Sequence, residues 1–313
     1  MNLFYEDLPK DKYGFVDLDE IVVHEKVKSS QSKPVTNFYY DNTMYWFKGY
    51  PIKENSDKQA ILATGEEEMI NELVNQEFAK IFGFGVVDYA LAKVNGTLGL
   101  VSINCHEKYP GSEMFNSVVC QNRSLYNKKD FPHHIKFYKT LADAKVISQV
   151  QLKKVQLASL MQFGLGLFDN HDENAYFYTD PENQDKDNVI LIDLESTWGC
   201  GYESLKSLKK ALKQNQLLVD LGVLHESENI ENFLKNLTTQ PCVTKKIMED
   251  YLNKITNLLK GNSVYKHINE TIESEYGLPI PKPYIEKLKT VLSYTTKSLE
   301  KAYAKKAEDM EQI

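Results

Sequence analysis

A chain of 313 residues with a net charge of −7 lacks the basic surface that general nucleic-acid affinity requires, so we expect no direct nucleic-acid partner. No apolar run approaches the length of a transmembrane segment, and residues 1–8 have neither a basic start nor an apolar signal core, which predicts a cytoplasmic protein. The four cysteines lie far apart without C-x-x-C spacing, which argues against a zinc site or a disulfide framework.

The first third of the chain predicts two β-hairpins separated by a helix. The strands are expected over residues 35–40, 43–48, 85–94 and 97–103, and the helix over residues 66–82. Asp41-Asn42 and Asn95-Gly96 supply the tight polar turns of the two hairpins, and Gly83 supplies the stop of the helix.

The remainder of the chain is mostly helical. The predicted elements are a long amphipathic helix over 141–162, strands at about 174–179 and 188–194, helical segments after Tyr202 with breaks near Pro241 and at 279–283, and a last helix from Tyr284 to about Lys306. Residues 106–140 show no clear period. A β-rich first third before an α-rich remainder predicts an α+β fold of two lobes, an N-lobe of residues 1–105 and a C-lobe of residues 106–313.

Three polar residues match the requirements of phosphoryl transfer from ATP. Asp169 lies five residues before Asn174 in a loop after the long helix, and Asp193 follows the apolar strand at 189–192. In phosphoryl transfer one carboxylate orients the attacking hydroxyl, while an amide and a second carboxylate hold Mg²⁺ against the ATP phosphates. We therefore predict ATP and Mg²⁺ as cofactors, Asp169 as the base, and Asn174 and Asp193 as metal ligands. Glu195 either joins the metal ligands or lies on the surface.

Lys48 and Glu72 are the predicted phosphate-positioning pair. Lys48 ends the second strand of the first hairpin, and Glu72 lies in the helix that follows. A strand lysine followed by a helix glutamate is how kinases assemble the ion pair that holds the α- and β-phosphates. Considered alone, Lys48 would be a solvated residue at the end of a strand, and Glu72 would be a surface carboxylate. Glu68 is the nearest alternative to Glu72 as the partner of Lys48.

At these residues the chain resembles the HipA-like Ser/Thr kinases, a branch of the protein-kinase-like fold, and within them the compact cell-translocating form known from Helicobacter. The family's catalytic loop, Asp-x-His-x-x-Asn, is matched by Asp169-Asn-His-Asp-Glu-Asn174, and its strand before the metal aspartate by Leu191-Ile-Asp193. The family's strand lysine before a Pro-containing turn is matched by Lys48-Gly-Tyr-Pro51, and its helix glutamate by Glu72 before Gly83-Phe84.

The resemblance covers about residues 25–200 and implies transfer of the ATP γ-phosphate to a serine or threonine of a protein substrate. His171 is the fixed histidine of the catalytic loop, acting beside Asp169 in catalysis or as a hydrogen-bonded spacer. The implied adenine hinge is at Ser102, Ile103 and Asn104. Ser30 and Ser32, with Ser29, lie before the first hairpin, either in a phosphate-covering loop that binds the nucleotide or in a plain flexible loop, and one of the three is a candidate for regulatory phosphorylation. An inhibitor or antitoxin protein, and delivery into a host cell, are further implications.

Three positions depart from the family's pattern. Asn170 stands where an arginine is usual, Asp193-Leu-Glu195 lacks the usual glycine, and the loop at 27–34 has no glycine. These departures leave open a nucleotide-binding pseudokinase that acts as an interaction module with an inhibitor protein. AMP transfer stays open as well, and so does a phosphoinositide kinase on the same fold, whose lysine-rich helices would meet an anionic membrane.

Overall fold

The protein is described by a computed structural model over residues 5–12, 14–19, 21, 35–50, 65–125, 134–165, 174–195, 204–213, 245–260 and 262–311. The strands of these segments are β1 Val16–Asp17, β2 Val35–Tyr40, β3 Thr43–Gly49, β4 Gly85–Val86, β5 Tyr89–Val94, β6 Thr97–Ile103, β7 Glu113–Met114, β8 Ala175–Tyr178 and β9 Asn188–Leu191. The helices are α1 Gly65–Ile81, α2 Cys105–Lys108, α3 Phe115–Gln121, α4 His134–Asp143, α5 Gln149–Leu165, α6 Leu205–Lys213, α7 Lys245–Lys260, α8 Asn262–Tyr276 and α9 Lys282–Glu311.

The first sheet contains both predicted hairpins and has the strand order β1-β5-β6-β3-β2. Asp41 and Asn42 have φ angles of 47° and 63°, and Asn95 and Gly96 have φ angles of 49° and 76°. A two-residue turn of type I′ requires φ above zero at both positions, because its twist then matches the twist of the strands. The two polar turns therefore set the strand register of this sheet, and both hairpin predictions are confirmed.

The second sheet has the strand order β4-β9-β8-β7. It pairs β8, which follows Asn174, with β9, which precedes Asp193. β4 runs parallel to β9, with Gly85 opposite Ile190 and Val86 opposite Leu191. Since β4 follows directly after α1, this pairing brings the end of β9 close to α1. The predicted strand over 85–94 is therefore divided between two sheets, and its hairpin part begins at Tyr89.

The single long helix predicted over 141–162 is wrong, because the chain forms two helices there, α4 and α5. Lys145 between them has a φ angle of 59°, which breaks the helix. Ser148 Oγ accepts from the backbone N–H of Gln151, and Gln151 Oε1 accepts from the backbone N–H of Ser148. This reciprocal capping box starts α5, and its Ser-x-x-Gln signature was present in the sequence.

Helix α1 is buried on nearly every face. All residues from Met69 to Ala79 are buried, and the apolar ones share one core with Leu100 of β6 and with residues of α5, α7, α8 and α9. The helix also carries buried polar residues, namely Asn71, Glu72, Asn75, Gln76 and Glu77. Because buried polar groups are costly without partners, these side chains must find hydrogen bonds inside the protein.

The lobe boundary predicted near residue 105 falls where β6 ends, at Ile103, and α2 begins, at Cys105. The core around α1 includes residues from both sides of this point, and the boundary stays a prediction. Among the described residues, no helix combines the length and the apolar character that crossing a membrane demands.

Candidate active site

Lys48 and its neighbour Phe47 lie on opposite faces of the first sheet, because side chains alternate along a strand. Phe47 packs into a core cluster with residues of β1, β2, β5 and β6, whereas Lys48 lies on the other face, which α1 covers. The Lys48 Nζ atom contacts the Asp193 carboxylate and lies 2.8 Å from Glu195 Oε2. Its side chain is 21% exposed, so Lys48 is a paired lysine and not the solvated strand end.

Asp193 follows β9 in an unusual backbone conformation. Its φ angle is 56°, in the left-handed region that a non-glycine residue enters at a cost of about 1–2 kcal/mol. Residues other than glycine in the left-handed conformation cluster at functional sites, where the surrounding structure holds them in place. This conformation directs the chain after β9 so that Asp193 and Glu195 both reach Lys48.

Glu72 lies in α1 and is 1% exposed, which excludes the surface role considered for it. Its Oε1 atom accepts a hydrogen bond of 2.6 Å from the Tyr89 hydroxyl, and its Oε2 atom is buried without a hydrogen-bond partner among the described residues. Burial raises the pKa of Glu72 to about 7, an effect that Asp193 and Glu195 strengthen and that Lys48 and the Tyr89 hydroxyl oppose.

Glu195 is the second acidic partner of Lys48, and it is buried. Its Oε2 atom accepts from the Tyr50 hydroxyl at 2.9 Å as well as from Lys48. Burial alone would lower the pKa of Lys48, but the carboxylates of Glu195, Asp193 and Glu72 outweigh it and raise that pKa above its ordinary value. Lys48 is therefore a fixed cation at neutral pH.

The three carboxylates form a group that suits a hard cation. One oxygen from each of Glu72, Asp193 and Glu195 lies within 4.8 Å of the others. Mg²⁺ prefers oxygen ligands, and the buried Oε2 atom of Glu72, which has no hydrogen-bond partner among the described residues, could supply one. The residues present therefore fit a magnesium ion, with the lysine beside it able to contact phosphate oxygens.

Asn174, the other predicted metal ligand, lies next to this group at the level of the backbone. The N–H of Ile192 donates to the Asn174 carbonyl oxygen at 3.0 Å, one residue before Asp193. The antiparallel pairing of β8 and β9 continues to this point and places Asn174 across from the end of β9. The structure thus brings Lys48, Glu72, Asp193 and Glu195 together through their side chains and Asn174 through its backbone. The ion pairs of Lys48 are with Asp193 and Glu195, and not with its predicted partner Glu72.

The predicted adenine hinge is at the end of β6, and two of its backbone donors have protein partners. The N–H of Ile103 donates to the Tyr5 hydroxyl oxygen at 3.1 Å, and the N–H of Asn104 donates to the Met44 carbonyl at 2.9 Å. The Asn104 side chain accepts from the N–H of His106 and so starts α2. The role of Ser102, Ile103 and Asn104 in binding adenine stays a prediction.

Some predicted residues lie outside the described part of the chain. These are the catalytic-loop residues Asp169 and His171, and the serines Ser29, Ser30 and Ser32. Sequence reasoning also missed four residues that contact the site, namely Tyr50, Asn71, Asn75 and Tyr89. No local signal could have found them, because each acts through a partner that only the fold brings near.

No protein-family model matches the sequence, and neither does any curated protein. Among solved structures, the Helicobacter pylori proinflammatory kinase CtkA is similar over 95% of this chain and 99% of its own, with a TM-score of 0.54 and 13% identity. A chain from the Shewanella oneidensis MR-1 toxin–antitoxin complex of HipA, HipB and operator DNA matches over 89% of this chain and 65% of its own, with a TM-score of 0.45 and 11% identity.

The likeness to CtkA shows the fold. The chain has a two-lobed, kinase-like α+β fold with a sheet-rich first part and a helical C-terminal part, as the sequence predicted. The predicted resemblance is confirmed for the fold by the likeness to CtkA. What the chain does must be argued from the residues of the site, because unrelated functions share one fold.

Proposed function

We propose that this protein is an ATP- and Mg²⁺-dependent kinase that transfers the γ-phosphate to serine or threonine residues of a protein. The observation that carries the proposal is the convergence of Lys48, Glu72 and Asp193 from β3, α1 and the end of β9. These three residues are far apart in the sequence and meet around a strained aspartate. A lysine beside clustered carboxylates is the arrangement that phosphoryl transfer from a metal–nucleotide complex requires.

In this proposal each residue has one task. Lys48 binds phosphate oxygens of ATP, and Asp193 with Asn174 holds Mg²⁺, which neutralises charge on the phosphates when it is bound. Glu72 lies beside Asp193 and Glu195, and its carboxylate favours the charged form of Lys48. Asp169, in the catalytic loop, orients the substrate hydroxyl and accepts its proton late in the transfer.

The partners follow from the same proposal. The substrate is a protein that presents a serine or threonine hydroxyl, and an inhibitor or antitoxin protein would regulate the kinase. The resemblance of the catalytic-loop and strand motifs to those of the HipA-like kinases motivates the search for such a regulator. Co-purification of the native protein from its source, with and without ATP, would identify it.

Label transfer tests the proposed function. The protein is incubated with Mg²⁺ and either γ-phosphate-labelled or α-phosphate-labelled ATP, together with a cell lysate or phosphoinositide vesicles. We expect γ-label on protein, at phosphoserine or phosphothreonine after acid hydrolysis, and loss of the label in the Asp193→Ala variant. Transfer of α-label would indicate AMP transfer, label on lipid would indicate a phosphoinositide kinase, and ATP binding without any transfer would indicate a pseudokinase.

A further inference from the structure

Two buried asparagines of α1 hold the backbone that follows Asp193. Asn71 Nδ2 donates to the carbonyl oxygen of Glu195 at 2.9 Å, and Asn75 Nδ2 donates to the carbonyl oxygen of Leu194 at 2.6 Å. Asn71 and Asn75 are one helical turn apart, so their side chains lie on the same face of α1. Both side chains are fully enclosed, with exposed fractions of 1% and 0%.

Asn75 is a costly residue for this position unless its amide is needed. Its Oδ1 atom is buried without a hydrogen-bond partner among the described residues, and an unpaired buried acceptor destabilises the folded protein. An apolar side chain of similar volume would avoid that cost in the middle of an apolar core. The Asn75 amide donates to the Leu194 carbonyl, and we interpret this hydrogen bond as the reason for an asparagine at this position.

The side chain of Glu195 is held as firmly as its backbone. Its Oε2 atom accepts from Lys48 Nζ at 2.8 Å and from the Tyr50 hydroxyl at 2.9 Å. Lys48 and Tyr50 flank Gly49, the last residue of β3. Two residues at the end of this strand therefore contact the Glu195 carboxylate. The segment 193–195 is therefore tied to α1 by its carbonyl groups and to β3 by its carboxylates.

We infer that Asn71 and Asn75 are positioning residues that fix the Asp193 carboxylate through the backbone of residues 194 and 195, and that Glu195 is the residue that holds Lys48. The inference rests on the proposed function and deepens it. It also accounts for Asp193-Leu-Glu195 lacking the glycine that the family usually has there. The carbonyl groups of residues 194 and 195 and the carboxylates of residues 193 and 195 are all held by partners. The segment therefore stays in one conformation and needs no glycine for backbone rotation.

The magnesium requirement of the reaction tests the role of the two asparagines. Without their amides, Asp193 must be ordered when the metal binds, and this cost appears as a weaker apparent affinity for Mg²⁺. We expect Asn75→Ala and Asn71→Ala each to raise the Mg²⁺ concentration for half-maximal ATP turnover by about fivefold, the equivalent of one hydrogen bond. A purely structural role would lower the folded fraction and leave the half-maximal concentration unchanged, which would overturn the inference.

Asn122→Ala is the matched control. Its Nδ2 atom also donates to a backbone carbonyl, that of Val118, at 2.8 Å, but at the end of α3. We expect this variant to lose a similar hydrogen bond with no change in the Mg²⁺ requirement. An equal shift in the control would overturn the inference, because the effect would then follow from any lost amide.

Tyr50→Phe tests the role of Glu195 and serves if the asparagine variants do not fold. It removes one hydroxyl from the Glu195 carboxylate while the ring stays in the core. We expect the KM for ATP to rise about fivefold with a smaller change in kcat, because Glu195 is then held less firmly, positions Lys48 less well, and weakens phosphate binding by Lys48. An unchanged KM for ATP would overturn this part of the inference. Wild-type protein without Mg²⁺-dependent ATP turnover would instead reject the proposed function.

Discussion

Three carboxylates surround one lysine in this site, so the charges do not balance. Lys48 contacts Asp193 and Glu195 directly, while Glu72 is left with a tyrosine hydroxyl as its hydrogen-bond partner. Charged groups removed from water are tolerated only when they are paired, and removing one partner exposes the cost of the others. The stability of the metal-free protein should therefore depend on Lys48 more than on any surface lysine.

Replacing Lys48 tests this dependence on charge pairing. In a chelator at neutral pH, we expect Lys48→Met to lower the free energy of unfolding by about 1–3 kcal/mol, a value reduced from that of a fully buried pair because Asp193 is 35% exposed. Adding Glu195→Gln should recover part of the loss, because one of the unpaired carboxylates is removed. Urea denaturation of the single and double variants measures both changes.

Lys139→Met is the control for Lys48→Met. Lys139 lies 2.6 Å from Asp143 in an exposed pair on α4, and such pairs contribute little. We expect a change below about 0.5 kcal/mol. If Lys48→Met is no more destabilising than Lys139→Met, the ion pairs at Lys48 do not stabilise the fold.

Glu72 should make stability fall as pH rises. Its pKa in the folded protein is raised from 4.5 to about 7, so between these values the folded state binds a proton that the unfolded state has lost. The stability that this proton provides is present below the unfolded pKa and is lost as pH rises through the folded pKa. In a chelator, Glu72→Gln should therefore gain stability over wild type between pH 5 and pH 8, by about 1–3 kcal/mol. Parallel stability curves for the two proteins would contradict this.

Tyr89→Phe gives the opposite change and is the companion variant. The Tyr89 hydroxyl lowers the pKa of Glu72 by donating to its carboxylate. Without that hydroxyl the pKa of Glu72 rises further, and the decline in stability should extend to higher pH. Thermal denaturation over a pH series follows the decline in all three proteins.

At the scale of single residues, the sequence predicted which groups carry charge in the site and could not predict which residues hold them. Lys48, Glu72 and Asp193 have recognisable spacing relative to a strand, a helix and an apolar run. Tyr50 and Asn71 contact Glu195 across 145 and 124 residues of sequence. Such contacts form only when β3, α1 and the segment after β9 meet in the fold, and no local pattern encodes them.

At the scale of elements, close strand approach fixes the position of Lys48. Gly99 of β6 lies opposite Gly49 of β3, and a methyl group added at Gly99 would lie 2.6 Å from Phe47 Cε2 and against the Lys48 carbonyl oxygen. The two strands can therefore keep this distance only without a side chain at residue 99. The predicted hairpins were right because their turns are local, whereas this requirement comes from a third strand.

Gly99→Ala should displace β3 at Lys48. We expect a loss of about 1–3 kcal/mol in the free energy of unfolding and a lower rate of ATP turnover per folded molecule. Gly111→Ala is the comparison, because an added methyl group there meets open space and only the φ angle of 78° is strained. Gly111→Ala should cost about 1 kcal/mol and leave turnover per folded molecule unchanged. Equal turnover in both variants would show that this strand contact does not position Lys48.

The break between α4 and α5 was not visible in the spacing of apolar residues. An apolar pattern over 141–162 reads as one helix, yet the chain turns at Lys145 and restarts at the Ser148–Gln151 capping box. The spacing of apolar residues does not reveal a helix break of only a few residues, whereas a capping signature marks where the next helix begins.

At the scale of the whole molecule, α1 joins the first sheet to the helical part. Lys154 of α5 and Lys254 of α7 donate to the carbonyls of Gly83 and Ile81 at the end of α1, and Lys287 of α9 lies 3.8 Å from Glu67 at its start. Cations at a helix C-terminus and an apolar core shared across the sequence both oppose independent unfolding of the two parts.

We therefore expect a single unfolding transition. In a Trp198→Phe background, the fluorescence of Trp46 reports on β3 in the first sheet, and far-UV circular dichroism reports mainly on the helices. Urea curves from the two probes should coincide. Two separated transitions would show that the parts before and after residue 105 unfold independently.

If Lys48, Glu72 and Asp193 form a phosphoryl-transfer site, ATP turnover requires Mg²⁺ and the Asp193 carboxylate, and a comparison of wild type with Asp193→Asn measures both requirements. The substitution keeps the shape of the side chain and removes the charge that would hold the metal. We expect Mg²⁺-dependent turnover by the wild type and a loss of about 100-fold or more in the folded variant. Equal turnover by the two proteins, or no ATP turnover by the wild type, would show that these residues do not form a phosphoryl-transfer site.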